Sequence, residues 1–176
     1  LNIDADETLT PELKEEILAI VNSQFSTLEG YYIPRKNHYM GRWIRHCGWY
    51  PDYKLRLFRK GKGRFNERTV HESVVVEGTK GFLKSCLSHY SYKNLSDHLS
   101  KIDKFSSLAA EQTFTSGKRA GVFDLLFRPL VKFIKMYLLK RGYLDGIYGL
   151  IVSVMGSFYV FTKYLKLWEL SKRRIR

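Results

Sequence analysis

The sequence predicts an α/β protein followed by a basic extension of amphipathic helices. Three observations carry this prediction. An acidic cluster and a helix start stand together at the beginning of the chain, residues 30–81 are rich in β-branched and aromatic residues, and the last third has a helical pattern. The 176 residues suit one domain or one domain with an appendage, and a hydrophobic content of 44% is enough for a core.

The first residues combine a predicted strand with a predicted helix. Leu1–Asp4 is expected to be the end of a strand, and Thr10 followed by Pro11 is a typical helix start. The apolar face of this helix is expected to contain Leu13, Ile17, Ile20 and Val21. The acidic cluster would then follow a strand directly, which is where open α/β folds place ligands.

The middle of the chain is predicted to form strands and then a helix. Gly30–Gly81 alternates strand-like segments with turn-forming residues, and LSHYSY at residues 87–92 adds one more strand. An amphipathic helix is expected from Asn94 to about Thr113. Its apolar side would consist of Leu95, Leu99, Ile102, Phe105 and Leu108.

The positive charge is concentrated near the C-terminus. The net charge is +13, and Lys118–Arg176 contributes 13 Lys or Arg against 3 Asp or Glu, which leaves +3 for the rest. Such a segment indicates an anionic partner, either a membrane surface or nucleic acid. No recognised nucleic-acid motif is present, so a nucleic-acid partner is not expected.

The C-terminal segment is expected to lie on a membrane surface. Residues Gly146–Thr162 contain no charge, but their 17 residues reach only about 25 Å as a helix. A spanning helix usually needs ~20 apolar residues. Two amphipathic helices with Lys and Arg at their edges would instead lie on an anionic leaflet. The alternative is a helical hairpin packed on its own domain or on a partner.

The cysteine content favours a reducing compartment. Cys47 and Cys86 do not make a disulfide framework, and no secretory signal is recognised at the start of the sequence. We therefore expect a cytosolic setting.

Asp4-Ala5-Asp6 is a DXD pattern. Two carboxylates around one small residue can hold a divalent cation such as Mg²⁺ or Mn²⁺, which prefers oxygen ligands and often keeps substrate phosphates as further ligands. A solvated turn with no ligand explains the same pattern equally well.

Other candidate residues have two readings each. Arg56 and Arg59 form either the solvated basic face of a strand or a phosphate clamp, since guanidinium groups grip phosphate oxygens in a fixed fork.

His71 and Glu72 follow a strand segment, where either could be a general base or part of a salt bridge. His89 is either a core histidine or a third metal ligand. Asp52 and Glu67 also stand near the relevant loops and are alternatives for the base. Core packing or sugar stacking would explain the aromatic residues Trp43, Trp49 and Tyr50.

Taken together, these motifs resemble family 2 glycosyltransferases of the GT-A fold, and within them the lipopolysaccharide-core and capsule group that is often described as β-1,4-glucosyltransferase-like. The resemblance covers nearly the whole chain. It rests on the ordered set DADE, NHYMGRWIRHCGWYPDYKLRLFRK, VHES, LSHYSYKNLSDHLSKIDKFSSLAA and the helical segment that starts at RPLVKFIKMYLL.

The resemblance implies a fold and a domain organisation. Residues 1–116 would be the C-terminal, metal- and acceptor-binding part of a GT-A catalytic domain, and residues 117–176 a basic membrane-associating extension. In that family a nucleotide-binding half precedes the DXD motif. The sequence is therefore expected to be the C-terminal part of a longer enzyme.

The resemblance also implies roles for residues. Asp4 and Asp6 would bind Mn²⁺ or Mg²⁺ and the donor diphosphate, with His89 as a further metal ligand. Glu72 would be the base, with His71 as the alternative. The remaining implied roles are diphosphate binding by Arg56 and Arg59 and acceptor binding by Trp43, Trp49 and Tyr50.

The implied reaction is inverting transfer of a hexose from a nucleotide sugar to a glycan or lipid-linked acceptor in lipopolysaccharide or envelope polysaccharide synthesis. A UDP-hexose is the expected donor, and UDP-glucose is the one that the resemblance most commonly suggests. The base would take the acceptor proton, and the metal would neutralise charge on the leaving diphosphate. The enzyme would be cytoplasmic and peripheral on the inner face of the cell membrane.

Two other functions agree with the same sequence. A non-catalytic basic module would bind membranes or nucleic acid without using Asp4 or Asp6. A split transferase would work only together with a second chain.

Overall fold

The protein is described by a computed structural model that covers residues 1–23, 27–65 and 74–173. The chain forms two compact units. The first unit contains Leu1–Arg45 and Trp49–Ser91, and the second contains His46–Gly48 and Tyr92–Arg176. The expected boundary between the catalytic part and the membrane-associating extension, at residues 116 and 117, lies inside the second unit. The different functions expected on its two sides stay a prediction.

The first unit begins with a turn, a short strand and a helix. Strand β1 is Glu7–Leu9 and helix α1 is Pro11–Asn22. Thr10 caps α1, because its side-chain oxygen accepts a hydrogen bond from the Leu13 amide at 3.3 Å. The predicted helix start is therefore confirmed.

The expected strand at Leu1–Asp4 is wrong. These residues belong to no strand, and the Glu7 amide donates to the Asp4 carbonyl at 3.0 Å to close a turn ahead of β1. The Asn2 amide donates to the Arg56 carbonyl at 2.8 Å, but this single backbone bond does not extend into a strand. The acidic pair Asp4 and Asp6 thus precedes a strand instead of following one.

The described part of the first unit contains seven strands after α1. They are β2 (Gly30–Tyr39), β3 (Arg42–Trp43), β4 (Asp52–Phe58), β5 (Gly63–Phe65), β6 (Val74–Val76), β7 (Lys80–Phe82) and β8 (Leu87–Tyr92). Six of the described strands form a mixed sheet, in which β8 lies between β1 and β2, and β3, β4 and β7 also pair with β2. β7 runs parallel to β2, whereas β3 and β4 run antiparallel to it. β5 and β6 form a separate ribbon.

The core of the first unit lies between α1 and the sheet. Leu13 of α1 is fully buried, and Ile17 and Ile20 pack against the same cluster, but Val21 is exposed and its predicted place on the buried face is wrong. The helix ends at Asn22, so Val21 lies in its last turn beyond the sheet contact. The buried members of the cluster are Leu13, Ile33, Leu57, Leu83 and Leu87.

The second unit is helical. Its helices are α2 (Leu95–Thr115), α3 (Val122–Ile134) and α4 (Gly146–Arg173). A π-helical turn, Lys135–Leu139, extends α3, and a 3₁₀ turn, Gly142–Asp145, leads into α4. Together with the strands, these helices confirm the α/β class.

Helix α2 packs with only part of the predicted face. Of the predicted residues Ile102 is buried and Leu108 is half-buried, which confirms them, whereas Leu95, Leu99 and Phe105 are exposed. The buried residues are His98, Ile102, Ser106 and Ala110. The small side chains at 106 and 110 allow α4 to approach closely, and Ala110 packs in one cluster with Leu167 of α4. Close helix packing, instead of residue size alone, therefore decides which face is buried.

Helices α3 and α4 form an antiparallel pair with close backbone contact. The Ser157 hydroxyl donates to the Pro129 carbonyl at 2.7 Å. A Cβ at Gly149 would come within 1.8 Å of the Gly142 carbonyl oxygen, and one at Gly156 within 2.6 Å of the Met136 sulfur.

Among the described residues one helical stretch, Gly142–Lys172, is long and apolar enough to cross a membrane by length and composition. A helix that packs inside a protein, as α4 packs against α2 and α3, can meet the same criteria of length and composition.

Candidate active site

The acidic turn lies beside strand β8 in the first unit. The Tyr90 amide of β8 donates to the Asp6 carbonyl at 2.9 Å, and Glu7 of β1 stands opposite His89 in the strand register. These two contacts bring the side chains of the turn next to those of β8. The sequence places the two segments more than 80 residues apart, so only the sheet pairing brings them together.

Asp6 and His89 face each other at this point. The Asp6 Oδ2 atom lies 3.4 Å from His89 Nε2. The other imidazole nitrogen, Nδ1, lies 2.6 Å from the Asn37 side-chain oxygen and 3.2 Å from the Ser91 hydroxyl. Asn37 Nδ2 donates to the Trp49 carbonyl at 2.7 Å, so its Oδ1 is the atom that accepts from His89.

With Asn37 Oδ1 as the acceptor, the neutral form of His89 carries its proton on Nδ1. Burial and the positive charge of Arg35 lower the pKa of His89, against the opposite effects of Asp6 and Glu7. With its proton on Nδ1, His89 directs the Nε2 lone pair toward Asp6. Two electron-pair acceptors then stand 3.4 Å apart, an arrangement that favours a cation between them.

Glu7 lies at the centre of a buried ionic network. Its Oε1 atom accepts from Arg35 Nη1 at 2.9 Å and from Arg56 Nη2 at 2.7 Å, and its Oε2 atom accepts from the Asp4 amide at 3.0 Å. Burial raises the pKa of Glu7, but the hydrogen bonds from Asp4, Arg35 and Arg56 outweigh it, so the pKa is below its usual value. Arg56 also forms an ion pair with the Asp4 carboxylate.

Asp52 extends this network at the start of β4. It accepts from Arg35 Nε at 2.9 Å and forms a second ion pair with Lys54 at 3.3 Å. Burial raises the pKa of Asp52, whereas Arg35 and Lys54 lower it, and the net result is a lowered pKa. Asn37 Nδ2 lies 3.4 Å from the same carboxylate, which links the ionic network to His89.

The cluster has a surplus of negative charge. Its carboxylates are Asp4, Asp6, Glu7 and Asp52, and its cations are Arg35, Lys54 and Arg56, which makes four against three with His89 neutral. Among the described residues the neutral His89 is the only side-chain partner of the Asp6 carboxylate, whose side chain is 43% exposed. Asp6 is thus the carboxylate best placed to take an external cation.

The described residues contain no set of three or more His, Cys, Asp and Glu side chains arranged around a common point for a metal ion. The donor chemistry at Asp6 and His89 nevertheless fits a divalent cation, because a carboxylate and a neutral imidazole are both common ligands of Mn²⁺. A cation at this pair would take its further ligands from Asp4, water or a bound phosphate.

The structure brings together five of the residues singled out in the sequence, and separates one. The five that belong to one cluster are Asp4, Asp6, Asp52, Arg56 and His89. Arg59 instead follows β4, pairs with Glu29 at 3.8 Å and lines a cavity of about 310 Å³ beside α1. Its expected role at the diphosphate is not supported by this position. His71 and Glu72 lie outside the described residues, as does Glu67.

The aromatic residues proposed for the acceptor form two contacts. Trp43 meets Tyr50 edge to face at a centroid distance of 5.3 Å, and Arg45 lies 4.5 Å from the Trp43 ring. Trp49 meets Tyr39 edge to face and contacts the cluster through its carbonyl group, which accepts from Asn37. Trp49 therefore joins the aromatic residues to the ionic network.

Sequence reasoning missed four members of the cluster. Glu7, Arg35, Asn37 and Lys54 were given no role, although Glu7 directly follows the DXD pattern. Arg35 and Asn37 stand two residues apart in β2 and so share one face of the sheet. Two polar residues on one face of a strand that is otherwise rich in buried residues were the available signal.

Comparison with known proteins identifies a class of relatives. No family model matches the sequence. Curated proteins that are similar to almost the whole chain are glycosyltransferases.

One of them, the lipopolysaccharide core biosynthesis glycosyltransferase LpsC of Rhizobium meliloti, is 31% identical over 175 residues, which cover 96% of this chain and 63% of the relative. An uncharacterized glycosyltransferase of Rickettsia typhi is 29% identical over 189 residues, covering 97% of this chain and 62% of the relative. The chain thus spans less than two thirds of the length of these relatives. The predicted likeness to glycosyltransferases is confirmed, while the family 2 and GT-A assignments stay predictions.

Proposed function

We propose that this chain carries the metal- and diphosphate-binding part of a glycosyltransferase active site. The substrates would be a nucleotide sugar, in the first place a UDP-hexose such as UDP-glucose, and a glycan or lipid-linked acceptor of lipopolysaccharide or related envelope polysaccharide. The observation that carries the proposal is the pair of electron-pair acceptors, Asp6 Oδ2 and His89 Nε2, that face each other across 3.4 Å. The glycosyltransferase relatives make this reaction class the best-supported one.

Asp6 and His89 are the proposed ligands of Mn²⁺ or Mg²⁺, and Asp4 would become a third ligand only after its carboxylate turns away from Arg56. Such a cation, when bound, neutralises negative charge on the leaving diphosphate. Asn37 holds His89 in the tautomer that a metal ligand requires, which is the usual task of the group behind a ligating histidine. The chain itself therefore provides both the ligands and the support for one of them.

Arg56 is the proposed diphosphate-binding cation. Its Nη2 atom donates both to the buried Glu7 carboxylate and to the Asp4 carboxylate. When Asp4 turns toward a cation, Arg56 keeps its bond to Glu7 and is free to donate to a phosphate oxygen. Because Glu7 also holds Arg35, the guanidinium position would change little during this exchange.

Transfer with inversion needs one base near the acceptor hydroxyl. Glu72 remains our proposed base and His71 its alternative. The residues proposed to contact the acceptor sugar are Trp43, Trp49 and Tyr50. We further propose that the reaction takes place on the cytoplasmic face of the cell membrane, where a lipid-linked acceptor would be presented.

The metal assignment can be tested by titrating Mn²⁺ into the full chain with and without UDP, by calorimetry. We expect Asp6→Asn and His89→Gln each to weaken Mn²⁺ binding by about 10-fold or more, and UDP to tighten it in the wild type. Glu77→Gln is the matched control, since Glu77 is 83% exposed and pairs only loosely with Arg64 at 3.6 Å.

Equal Mn²⁺ affinity in the wild type and both site variants would contradict the metal site. Transferase activity is then measured as release of UDP from a panel of UDP-hexoses in the presence of envelope glycolipids. A metal site that binds Mn²⁺ while no UDP-hexose is turned over by the complete enzyme would contradict the donor assignment and leave the site itself standing.

A further inference from the structure

Two cations lie over the indole ring of Trp43 in the first unit. The Lys36 ammonium nitrogen is 5.1 Å from the ring centroid, and the Arg45 guanidinium carbon is 4.5 Å from it. The attraction between a cation and the face of an aromatic ring holds both side chains near Trp43. Arg45 is exposed, and Lys36 and Trp43 are half-buried, so solvent reaches this group. Lys36 and Arg45 are called the Trp43 cation pair below.

The pairing of β2 with β3 sets the face of the sheet on which these side chains lie. Trp43 stands opposite His38 in the strand register, and Lys36 lies two residues before His38, so the three side chains share one face. Tyr90 of β8 stacks on the His38 ring at a centroid distance of 5.0 Å. Asn37 of the candidate active site stands between Lys36 and His38 and therefore points to the opposite face.

The same face contains two buried ring nitrogens that have no hydrogen-bond partner within the described part of the chain. They are Trp43 Nε1 and His38 Nδ1. An indole nitrogen is a donor only, and an imidazole nitrogen donates in one of its tautomers. Buried donors almost always have a partner in folded proteins, because an unpaired one loses its hydrogen bond to water. An oxygen atom of a bound molecule would restore such a bond.

No carboxylate neutralises Lys36. Within residues 1–23, 27–65 and 74–173 this lysine forms no ion pair with an acidic side chain. Hydrogen bonds from its own backbone amide and from Thr10 lower the pKa of Glu12 more than Lys36 does, so Glu12 is only a distant neighbour of the lysine. The charge of Lys36 is thus available to an external anion.

We propose that Lys36, Arg45 and Trp43 form an oxyanion subsite, and that the acceptor of the glycosyl transfer carries a phosphate or carboxylate group that binds there. The ammonium, the guanidinium and the indole N–H group are all donors, whereas a phosphate or carboxylate accepts several hydrogen bonds at once. This inference rests on the proposed glycosyltransferase function. It adds the charge of the acceptor, which that proposal leaves open.

The contacts of Trp43 favour an anionic sugar over a neutral one. A neutral sugar that stacked on the ring face would displace Lys36 and Arg45 from it and give them no negative partner. An anionic sugar pairs with the two cations where they already lie. Tyr50 meets the Trp43 ring edge to face at 5.3 Å and offers its own ring beside the subsite.

Two consecutive residues connect the subsite with the candidate active site. The Trp49 carbonyl accepts from Asn37 at 2.7 Å, and Tyr50, the next residue, contacts Trp43. Because Asn37 and the Trp43 cation pair lie on opposite faces of β2, the bound anion would be remote from the reacting hydroxyl. It therefore selects the acceptor and is not consumed in the reaction.

The proposal is tested by measuring the binding of four probes to the full chain by ligand-observed NMR, without metal or nucleotide sugar. The probes are glucose 6-phosphate, glucuronate, glucose and inorganic phosphate. We expect at least one of the two anionic sugars to bind about tenfold more tightly than glucose and inorganic phosphate. Lys36→Gln and Arg45→Gln should each weaken its binding by about tenfold, since each removes a charged donor. Circular dichroism checks that both variants are folded.

A matched control removes two cations that also lie over aromatic rings. In the double variant Lys104→Gln with Arg119→Gln, the lost contacts are with Phe105 at 6.0 Å and with Phe114 at 4.1 Å. This variant should bind the anionic sugars like the wild type. Unchanged binding in both Lys36→Gln and Arg45→Gln would overturn the subsite. Equal affinities for glucose and the anionic sugars would overturn the charge of the acceptor, and equal affinities for inorganic phosphate and glucose 6-phosphate would overturn the recognition of a sugar.

The outcome is distinguishable from that of the metal titration. Lys36→Gln and Arg45→Gln should bind Mn²⁺ with the affinity of the wild type, because neither residue belongs to the acidic cluster. A chain that binds Mn²⁺ but does not prefer the anionic sugars would refute this inference alone. A chain that binds the anionic sugars through the Trp43 cation pair but takes no Mn²⁺ would refute the proposed metal site alone.

Discussion

The Asn37 side-chain oxygen lies 2.6 Å from His89 Nδ1, and this contact decides which nitrogen of the imidazole faces Asp6. The amide is itself held by the Trp49 carbonyl, so its orientation is fixed from behind. The Asn37 side chain of β2 thus orients the His89 ring of β8 so that its Nε2 atom faces Asp6.

This relationship predicts that Asn37→Ala weakens Mn²⁺ binding although Asn37 touches no metal. Without the acceptor at Nδ1, His89 can move its proton to Nε2 and loses the lone pair that faces Asp6. We expect the affinity to fall by about 10- to 100-fold, measured by calorimetric titration. Asn37→Asp retains an acceptor at this position and should bind more tightly than Asn37→Ala. Equal affinities in the alanine variant and the wild type would rule out this positioning role.

Glu7 is expected to be the most sensitive residue of the cluster for stability. Its side chain is fully buried between Arg35 and Arg56, whose side chains are only 12% and 11% exposed. Glu7→Gln leaves both guanidinium groups buried without their shared carboxylate, which should lower the free energy of unfolding by about 3–5 kcal/mol. Urea unfolding followed by circular dichroism measures this value.

The control for Glu7 is again Glu77→Gln, which disturbs an exposed ion pair and should leave the unfolding midpoint unchanged. A stable Glu7→Gln protein would indicate that Asp52 and Asp4, which already pair with Arg35 and Arg56, are sufficient to compensate the two buried charges. A loss of the same size in both variants would instead point to a general effect of carboxylate removal.

The sequence alone predicted the parts of this fold that depend on neighbours in the chain. The start of α1 follows from Thr10 and Pro11, because capping involves residues only three positions apart. The strands of the middle segment follow from composition and turn residues. The turn at Asp4–Asp6 was placed after a strand, because nothing local distinguishes a strand end from a turn that pairs with β8.

The candidate site could be predicted only in part, for the same reason. Asp4, Asp6, Arg56 and His89 were assembled by resemblance to a family, and the sheet pairing brings them together. Glu7, Arg35 and Asn37 connect three strands, so their roles appear only once the register of the sheet is known. The buried face of α2 was predicted only in part, because Ser106 and Ala110 are buried by the close approach of α4.

His98 predicts a pH dependence of stability in the second unit. Burial lowers the pKa of His98 to about 4, and its ring stacks on Tyr92 at a centroid distance of 3.8 Å. Below the unfolded value of about 6.5 the unfolded chain binds a proton that the folded protein does not, so stability falls as the pH drops from about 6.5 to 4. The shift corresponds to a loss of about 3 kcal/mol across this range.

This loss should disappear in His98→Phe, which keeps an aromatic ring beside Tyr92 but has no proton to bind. The free energy of unfolding is measured in urea at several pH values between 7.5 and 4. The slopes, not the absolute stabilities, decide the outcome. Parallel slopes in the two proteins would show that another group is responsible.

The two glycines of α4 that contact the preceding segment should respond differently to alanine. A Cβ at Gly149 would lie 1.8 Å from the Gly142 carbonyl oxygen, a backbone atom that cannot move without shifting the 3₁₀ turn. A Cβ at Gly156 would lie 2.6 Å from the sulfur of Met136, the end of a flexible side chain. Overpacking lowers the free energy of unfolding by about 1–3 kcal/mol or more. The higher helix propensity of alanine raises it by up to about 1 kcal/mol.

We therefore expect Gly149→Ala to lower the free energy of unfolding by about 3 kcal/mol, and Gly156→Ala by about 1 kcal/mol or less. Urea unfolding of the two variants beside the wild type measures the difference, and each variant is the control for the other because both replace a glycine within the same helix. If Gly156→Ala lowered the free energy of unfolding more than Gly149→Ala, the close approach of α4 to the 3₁₀ turn would not be the tightest contact of the α3–α4 pair.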